Sequence, residues 1–239
     1  MAESRVAMER SPSPVRFLAA LAAVVASACA GAQRPAPVPN LDDARREVQA
    51  YVESGRYEAD VAAVTRDAQA YLEKRARAAA RPAAVFDVDE TALSNWPAYK
   101  VNGWVRIVGG GCDLEVGPCG LRAWEALGRS KAIAPTLALA RRAHDLGVAV
   151  FFITGRPEGL REPTERNLRE EGFPCDGLIL FPEGGPRPPS AADFKAPERR
   201  KLAEQGYTIL LSIGDQRSDL SGGYAERTYK LPNPVYFIP

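Results

Sequence analysis

Short apolar runs alternate with amphipathic stretches over the second part of the chain. The apolar runs are the length of buried strands and predict strands at 83–88, 148–153, 177–181, 208–213 and either 229–230 or 235–238. Apolar residues at helical spacing predict helices at 135–146, 163–171 and 197–205. Regular alternation of strands and helices indicates an α/β fold, with a parallel sheet flanked by helices on both faces.

A helical segment precedes the first strand. Apolar residues recur at helical spacing through residues 41–80, and Gly55 is expected to divide this stretch into two helices. Gly147, Gly172 and Gly206 each follow a predicted helix, at the position where glycine commonly ends one. We assign no chemistry to the 41–80 segment and expect it to pack on the core.

The interval 92–133 interrupts this alternation. It contains all three tryptophans, two cysteines and a run of three glycines. We interpret it as a small cap inserted after the first strand; a surface loop is the alternative. Its aromatic residues either stack on a ligand or form the cap's own core, and the second role is expected for at least two of them: Trp96, Tyr99, Trp104 and Trp124.

The N-terminus has the pattern of an export signal. Three arginines precede a small apolar run at 17–28, which is too short to span a membrane comfortably. Ala26-Ser27-Ala28-Cys29 resembles a bacterial lipobox, in which the cysteine is lipidated. Cleavage after Ala28 by an ordinary signal peptidase is the alternative. We therefore predict a signal peptide of the lipoprotein type at 1–28, a Pro-rich tether at 29–40, and a folded domain at 41–239.

The charge balance and the cysteines limit which binding partners and which cellular compartment suit this chain. Lysine and arginine number 31 against 30 acidic residues, so no polycationic surface indicates a nucleic acid polymer. We expect export to the bacterial cell envelope, with membrane contact only through a lipid on Cys29. An exported chain can form disulfides: Cys112 and Cys119 flank a loop that they could close, leaving Cys175 unpaired and, we expect, buried. One histidine and no Cys-x-x-Cys argue against a zinc site.

The most informative segment is Val85-Phe86-Asp87-Val88-Asp89-Glu90-Thr91. Asp87 and Asp89 follow an apolar run and are one residue apart, so both project to the same side if the strand geometry continues. Two adjacent carboxylates repel each other, and a hard cation such as Mg²⁺ offsets that repulsion. A carboxylate can also act as a nucleophile towards phosphorus. A polar turn after a buried strand is the alternative.

Three further segments place polar groups near predicted strand ends. Thr154 and Gly155 follow the second strand and can donate to phosphate oxygens, although Thr154 alone would suit a helix cap. Lys195 lies ahead of the helix predicted to begin at Pro197 and can neutralise a transferring phosphoryl group. Asp215 follows the fourth strand and can complete a Mg²⁺ site, with Asp219 one helical turn further on.

In this order the segments resemble the haloacid dehalogenase (HAD) superfamily of phosphohydrolases. The resemblance is closest to its subfamily IIIB acid phosphatases, a branch of bacterial envelope enzymes and plant vegetative storage proteins. It is carried by "YVESGRYEADV", "VFDVDETALSN", "FFITGR", "IGDQRSDL" and "KLPNPVYFIP". The chain departs from the branch at Arg217, where a tryptophan is common.

The resemblance implies a Rossmann-like HAD core and a role for each site residue. Asp87 would attack phosphorus to form an aspartyl-phosphate, and Asp89 would act as the general acid and base. Thr154, Gly155 and Lys195 would bind the phosphoryl group. Mg²⁺ would be bound by the Asp87 carboxylate, the Asp89 backbone carbonyl and Asp215, with Asp219 supporting them.

The function implied is that of a Mg²⁺-dependent acid phosphatase acting on small phosphomonoesters. Two alternatives share the fold. A non-catalytic storage or binding member would have lost activity, and a phosphotransferase would pass the phosphoryl group to an alcohol. An alcohol that competes with water as acceptor would identify the phosphotransferase.

Overall fold

The computed structural model describes residues 38–184, 186 and 188–239. Eight α-helices lie in this part of the chain: α1 (Leu41–Glu53), α2 (Arg56–Arg75), α3 (Trp96–Val101), α4 (Leu121–Leu127), α5 (Ala134–Asp145), α6 (Arg161–Glu170), α7 (Ala192–Glu204) and α8 (Arg217–Leu220). Seven strands accompany them: β1 (Pro82–Phe86), β2 (Leu93–Ser94), β3 (Lys131–Ala132), β4 (Ala149–Pro157), β5 (Gly177–Phe181), β6 (Thr208–Gly214) and β7 (Arg227–Lys230).

Five strands form the central sheet, in the order β5-β4-β1-β6-β7. Every neighbouring pair is parallel, and β1 lies in the middle between β4 and β6. The carboxyl ends of all five strands therefore meet at one edge of the sheet, where ligands bind in open parallel sheets. The predicted α/β fold is confirmed.

Alternate residues of β1 point to opposite faces of the sheet. Ala84 and Phe86 belong to a core that includes α2 and α5, while Ala83 and Val85 pack with Leu202 of α7. Phe86 is completely buried, and truncating such a phenylalanine to alanine costs about 3–5 kcal/mol. Helices on both faces thus hold the central strand, and the residues that follow it, in place.

The interval 92–133 forms a small elaboration beside the sheet. Its β2 and β3 pair antiparallel, and Cys112 and Cys119 form a disulfide. Tyr99, Trp104 and Trp124 are buried in a third apolar cluster, and Trp96 packs against it. The aromatic residues therefore form a local core, as expected for at least two of them.

Two predictions from the sequence need correction. Helix α7 begins at Ala192 and contains Pro197, so Lys195 lies inside the helix. Pro197 is tolerated because the N–H it lacks would have bonded to the carbonyl of Asp193, in the exposed first turn where water can replace it. The last strand is β7, which confirms the predicted alternative at 229–230; residues 235–238 are not a strand.

The second correction concerns Cys175, which was expected to be buried and is exposed. It lies in the short connection between α6 and β5, which runs over the surface.

The predicted signal peptide, Cys29 and nearly all of the 29–40 tether lie outside the described residues. Among the helices that the structure describes, none combines the length and the apolar character needed to cross a bilayer.

Candidate active site

Polar residues from three adjacent strands meet at the carboxyl edge of the sheet. Asp87 directly follows β1, Gly155 lies near the end of β4, and Asp215 directly follows β6. The Asp87 amide donates to the carbonyl of Ile213 at 2.9 Å, which continues the β1–β6 pairing by one residue and fixes where the aspartate emerges. A cavity of about 90 Å³ opens here, lined by Asp87, Asp89, Arg106, Leu121, Arg122, Glu125, Gly155, Ala191, Lys195, Asp215, Gln216, Asp219, Tyr236 and Ile238.

Asp87, Asp215 and Asp219 form a buried carboxylate cluster. One oxygen from each lies within 4.8 Å of the others. Asp219 reaches this position because residue 214 is glycine: a Cβ there would lie 2.5 Å from the Cβ of Asp219. The backbone N–H of Gln216 donates to Asp219 Oδ2 at 2.8 Å and anchors the Asp219 carboxylate. Such a set of oxygens can bind a hard divalent cation.

Lys195 supplies the positive charge beside this cluster. Its Nζ donates to Asp87 Oδ1 and, at 2.7 Å, to Asp219 Oδ1. Burial lowers the pKa of the ammonium, but the carboxylates of Asp219 and Asp87 outweigh it and the pKa is raised. Lys195 therefore remains charged at the base of the cavity.

Burial and mutual repulsion disfavour negative charge within the cluster. Burial raises the pKa of Asp87 well above its ordinary value, opposed by Lys195 and reinforced by Asp219. Burial and the charge of Asp219 raise the pKa of Asp215 to about 7, although it accepts hydrogen bonds from Asn233 and Gln216 at 2.6 Å each. A cation among these oxygens would oppose both shifts.

Asp89 has a different environment. Its Oδ1 accepts hydrogen bonds from Asn95 Nδ2 at 2.8 Å and Arg156 Nη2 at 2.7 Å. Burial raises its pKa, but the charge and hydrogen bonds of Arg156 outweigh burial, so the pKa is lowered. The Asp89 carboxylate is not a member of the three-residue cluster.

Arg156 is itself completely buried. Its Nη1 donates to the Thr164 hydroxyl at 3.2 Å, and its Nε lies 4.0 Å from Glu125 Oε1. Arg122 donates to the other oxygen of Glu125 at 2.6 Å. Asp89 and Glu125 are thus compensated by two arginines, which a buried ion pair requires.

Glu90 anchors the segment after the two aspartates. It is fully buried, with a backbone φ of +52°, and accepts hydrogen bonds from the Asn95 amide at 2.6 Å and the Tyr99 and Tyr236 hydroxyls at 3.0 Å each. Burial and the charge of Asp89 raise its pKa to about 8. Glu90 ties the backbone of Asp89 to the 92–133 interval and to the C-terminal segment.

The sequence-predicted site residues are almost all brought together. Asp87, Asp89, Gly155, Lys195, Asp215 and Asp219 line the cavity. A Cβ at Gly155 would meet no protein atom within 4 Å, so the absence of a side chain leaves that part of the cavity open. Thr154 is completely buried, and its hydroxyl accepts the Arg156 amide at 3.2 Å. Neither Thr154 nor the exposed Arg217 belongs to the described lining.

Several site residues were not predicted from the sequence: Glu90, Asn95, Arg106, Arg122, Glu125, Arg156, Asn233 and Tyr236. Arg156 carried a usable signal, because an arginine in a strand as apolar as "FFIT" must find an acidic partner. The others lie in irregular or short elements, where spacing does not indicate which side chains reach the site.

Comparison with known proteins gives a consistent family. The model for the HAD superfamily, subfamily IIIB (acid phosphatase), matches residues 20–239. The Stem 28 kDa glycoprotein of Glycine max is 34% identical over 191 residues, which is 79% of this chain and 72% of that protein. Acid phosphatase 1 of Solanum lycopersicum is 34% identical over 155 residues, 64% of this chain and 58% of that protein.

Storage proteins and a bacterial structure are also similar. Vegetative storage protein 1 of Arabidopsis thaliana is 32% identical over 208 residues, covering 84% of this chain and 74% of that protein. The class C acid phosphatase from Bacillus anthracis superposes with a TM-score of 0.65 at 21% identity, over 82% of this chain and 86% of that one. The superposition shows that the two share a fold.

Proposed function

This chain belongs to the HAD superfamily, subfamily IIIB, and is a phosphoric monoester hydrolase of that acid phosphatase family; we propose that it acts through a covalent aspartyl-phosphate on Asp87 with the help of Mg²⁺. One observation carries the proposal. Asp87 lies with two other carboxylates and Lys195 at the base of a cavity, while Asp89, two residues away, is held apart by Arg156.

The reaction divides into two displacements. A carboxylate oxygen of Asp87 attacks phosphorus, the bond from phosphorus to the alcohol oxygen breaks, and Asp89 gives its proton to that oxygen. Water then attacks the phosphorus of the aspartyl-phosphate and gives a proton to Asp89. Inorganic phosphate leaves, and the Asp87 carboxylate is regenerated.

The environment of Asp89 supports an acidic optimum. A general acid must be protonated when the alcohol leaves, and Arg156 lowers the pKa of Asp89. A phosphate dianion beside Asp89 raises that pKa again, because the two negative charges repel. Acidic solution therefore favours the protonated form that the first step requires.

The carboxylate cluster fits Mg²⁺. Its donors are hard oxygens, and burial together with repulsion leaves Asp87 and Asp215 short of positive charge. We propose that Asp87 and Asp215 bind the ion through their carboxylates and Asp89 through its backbone carbonyl, with Asp219 supporting them. When bound, the ion neutralises charge on the phosphoryl oxygens.

Lys195 and Gly155 are proposed to hold the phosphoryl group. The Lys195 ammonium donates to the carboxylate cluster that would face the phosphorus atom. Gly155 has no side chain, so a phosphoryl oxygen has space to reach its backbone. We propose the same role for Thr154, which precedes Gly155 on β4 and whose hydroxyl accepts the Arg156 amide. We propose that residues 92–133 form the cap, because this interval contributes four residues to the cavity wall: Arg106, Leu121, Arg122 and Glu125.

We also propose that the protein is exported. The N-terminal pattern at 1–28 suits a signal peptide, and Cys29 suits a lipid anchor in a bacterial envelope. The disulfide between Cys112 and Cys119 supports an oxidising compartment. Mass spectrometry of the mature N-terminus distinguishes a lipidated Cys29 from cleavage after Ala28.

The decisive test compares Asp87→Asn with Asp67→Asn, which removes a charge from the exposed surface of α2. We expect Asp87→Asn to lose about 10⁴-fold or more of aryl phosphate hydrolysis and Asp67→Asn to retain it. EDTA should abolish wild-type activity, and added Mg²⁺ should restore it. Full activity in Asp87→Asn would exclude the mechanism.

The covalent intermediate has its own test. Protein quenched in acid during turnover should gain the mass of one phosphoryl group on the peptide that contains Asp87. With nitrophenyl phosphate, Asp89→Asn should increase this population, because the leaving group departs as a stable anion in the first step while the attack of water loses its base.

A storage role is the second candidate, since several similar plant proteins have that name. It predicts no turnover in the wild-type protein with any metal. Activity that depends on Asp87 would exclude it.

A further inference from the structure

The wall of the cavity that faces Asp89 comes from the 92–133 interval and the C-terminal segment. Arg106, Leu121, Arg122 and Glu125 belong to the first, and Tyr236 to the second. Asp89 lies towards this wall, because its partner Arg156 is 4.0 Å from Glu125. An alcohol protonated by Asp89 would therefore leave along these residues. The phosphoryl group would lie beside Asp87 and Lys195, so the alcohol would extend along this wall.

The cationic side chains that line the cavity differ in whether they already have a hydrogen-bond or ion-pair partner. Lys195 donates to Asp87 and Asp219, and Arg122 donates to Glu125. Arg106 makes no hydrogen bond or ion pair with the residues that the structure describes, and its Nε is buried without a hydrogen-bond partner. Its donors thus remain available to a ligand.

Arg106 is nevertheless held in position. Its guanidinium carbon lies 5.1 Å from the centroid of the Tyr236 ring. Tyr236 donates its hydroxyl to Glu90 at 3.0 Å and packs edge-on against Tyr99, with 5.8 Å between the ring centroids. A guanidinium stacked on an anchored ring loses little freedom when it binds an anion, and its planar fork matches a carboxylate or phosphate.

The other acid of this wall does not cancel that charge. The Glu125 carboxylate is already paired with Arg122 and lies near Arg156. The carboxylates of Asp87, Asp215 and Asp219 lie together around Lys195, where the proposed Mg²⁺ would bind. Arg106 is therefore the cation of this wall that is left for a substrate.

We propose that Arg106 determines specificity by binding an anionic group on the alcohol part of the substrate. The substrate class is small phosphomonoesters whose alcohol carries a carboxylate or a second phosphate. This inference rests on the proposed function, because it assumes that phosphate ester cleavage occurs at Asp87.

The test uses two substrates that differ mainly in charge. Phosphoglycerate, with its phosphate on the primary hydroxyl, carries a carboxylate where glycerol phosphate carries a neutral CH₂OH group. We measure kcat/KM for both in the wild type and in Arg106→Gln. The ratio of phosphoglycerate to glycerol phosphate should fall about tenfold in the variant, mostly through KM. Arg106→Lys should recover part of it, because charge returns without the planar fork. Glycerol bisphosphate shows whether a phosphate replaces the carboxylate.

Arg77→Gln is the matched control. Arg77 is exposed and lies just before the amino end of β1, at the opposite edge of the sheet from the site. It should leave the ratio unchanged, and melting curves should show that each variant is folded.

An equal loss on both substrates in Arg106→Gln would assign Arg106 a structural role and overturn the inference. A wild type that hydrolyses aryl phosphate but does not prefer the anionic ester would also overturn it. Absence of hydrolysis of every ester, aryl phosphate included, would instead be a failure of the proposed function.

Discussion

Asp87 and Asp89 are two residues apart, yet their environments are opposite. Asp87 lies among buried carboxylates that, with burial, raise its pKa against the charge of Lys195. Asp89 lies against Arg156 and Asn95, which together lower its pKa in spite of burial. Identical side chains are thereby given different chemistry by their neighbours. The first is suited to binding a cation and attacking phosphorus, and the second to exchanging a proton.

The largest effect on stability and activity should follow from removing the positive charge of Lys195 beside Asp87. Lys195→Met would leave Asp87 and Asp219 facing each other without their shared cation, at a cost of about 3–5 kcal/mol in unfolding free energy. We expect kcat/KM to fall about 10³-fold. Lys201→Met, on the exposed side of the same helix, should change neither urea unfolding nor activity. Similar behaviour of the two variants would contradict the role given to Lys195.

Asp89→Asn tests the proton-transfer side. We expect a loss of roughly 10³-fold on an alkyl phosphate, whose leaving alcohol needs a proton. The loss on nitrophenyl phosphate should be smaller by about tenfold, because its leaving group departs as a stable anion. Steady-state rates on both esters provide the measurement. Equal losses on the two would show that Asp89 positions the substrate without donating a proton.

Arg156→Met should make Asp89 resemble Asp87 electrostatically. Arg156 lowers the pKa of Asp89, so its removal raises that pKa and keeps Asp89 protonated to higher pH. The descending limb of kcat against pH should therefore move upward, by about one unit. Arg200→Met, which loses an exposed ion pair with Glu204, is the control. A limb that stays in place, or moves downward, would exclude Asp89 as the titrating group.

Glu90→Gln should have the smallest effect, on stability more than on activity. The pKa of Glu90 is about 8 in the fold against an ordinary 4.5, so between these values the folded chain binds a proton that the unfolded chain has released. Wild-type stability must then fall as pH rises through this window, and the variant with Gln, which resembles the protonated acid, should lose less stability over the same window. Urea unfolding in EDTA near both ends of the window measures this difference. Parallel curves would mean that Glu90 is ionised throughout.

Much of the fold was predictable because its signals are local. The apolar runs at 83–88 and 208–213 correspond to β1 and β6, and Gly55 separates α1 from α2 as expected. The beginning of α7 was not predictable from Pro197, since proline in an exposed early turn costs little. The exposure of Cys175 was not predictable either. An apolar side chain close to a strand suggests burial, but it does not reveal that the connection from α6 to β5 runs over the surface.

The candidate site was predictable only in part. Acids directly after parallel strands must meet at one edge of a sheet, which explains why Asp87 and Asp215 lie together. Thr154 is buried, and its hydroxyl accepts the Arg156 amide, a contact that the sequence did not predict. Strand periodicity predicts which face of the sheet a side chain points to. How deeply that side chain is buried depends on the twist and bulges of its strand, and the pairing of β4 with β5 shifts register between Ile153 and Pro157.

The sequence by itself determined the α/β alternation, the acids at the strand ends and their order, because these depend on neighbours along the chain. The tertiary structure alone decided how the two aspartates differ. Arg156 reaches Asp89 across 67 positions, and Tyr236 reaches Glu90 across 146. Such pairs form only where packing excludes water and brings distant elements together, and that is where charge interactions are strong enough to separate the pKa values of identical side chains.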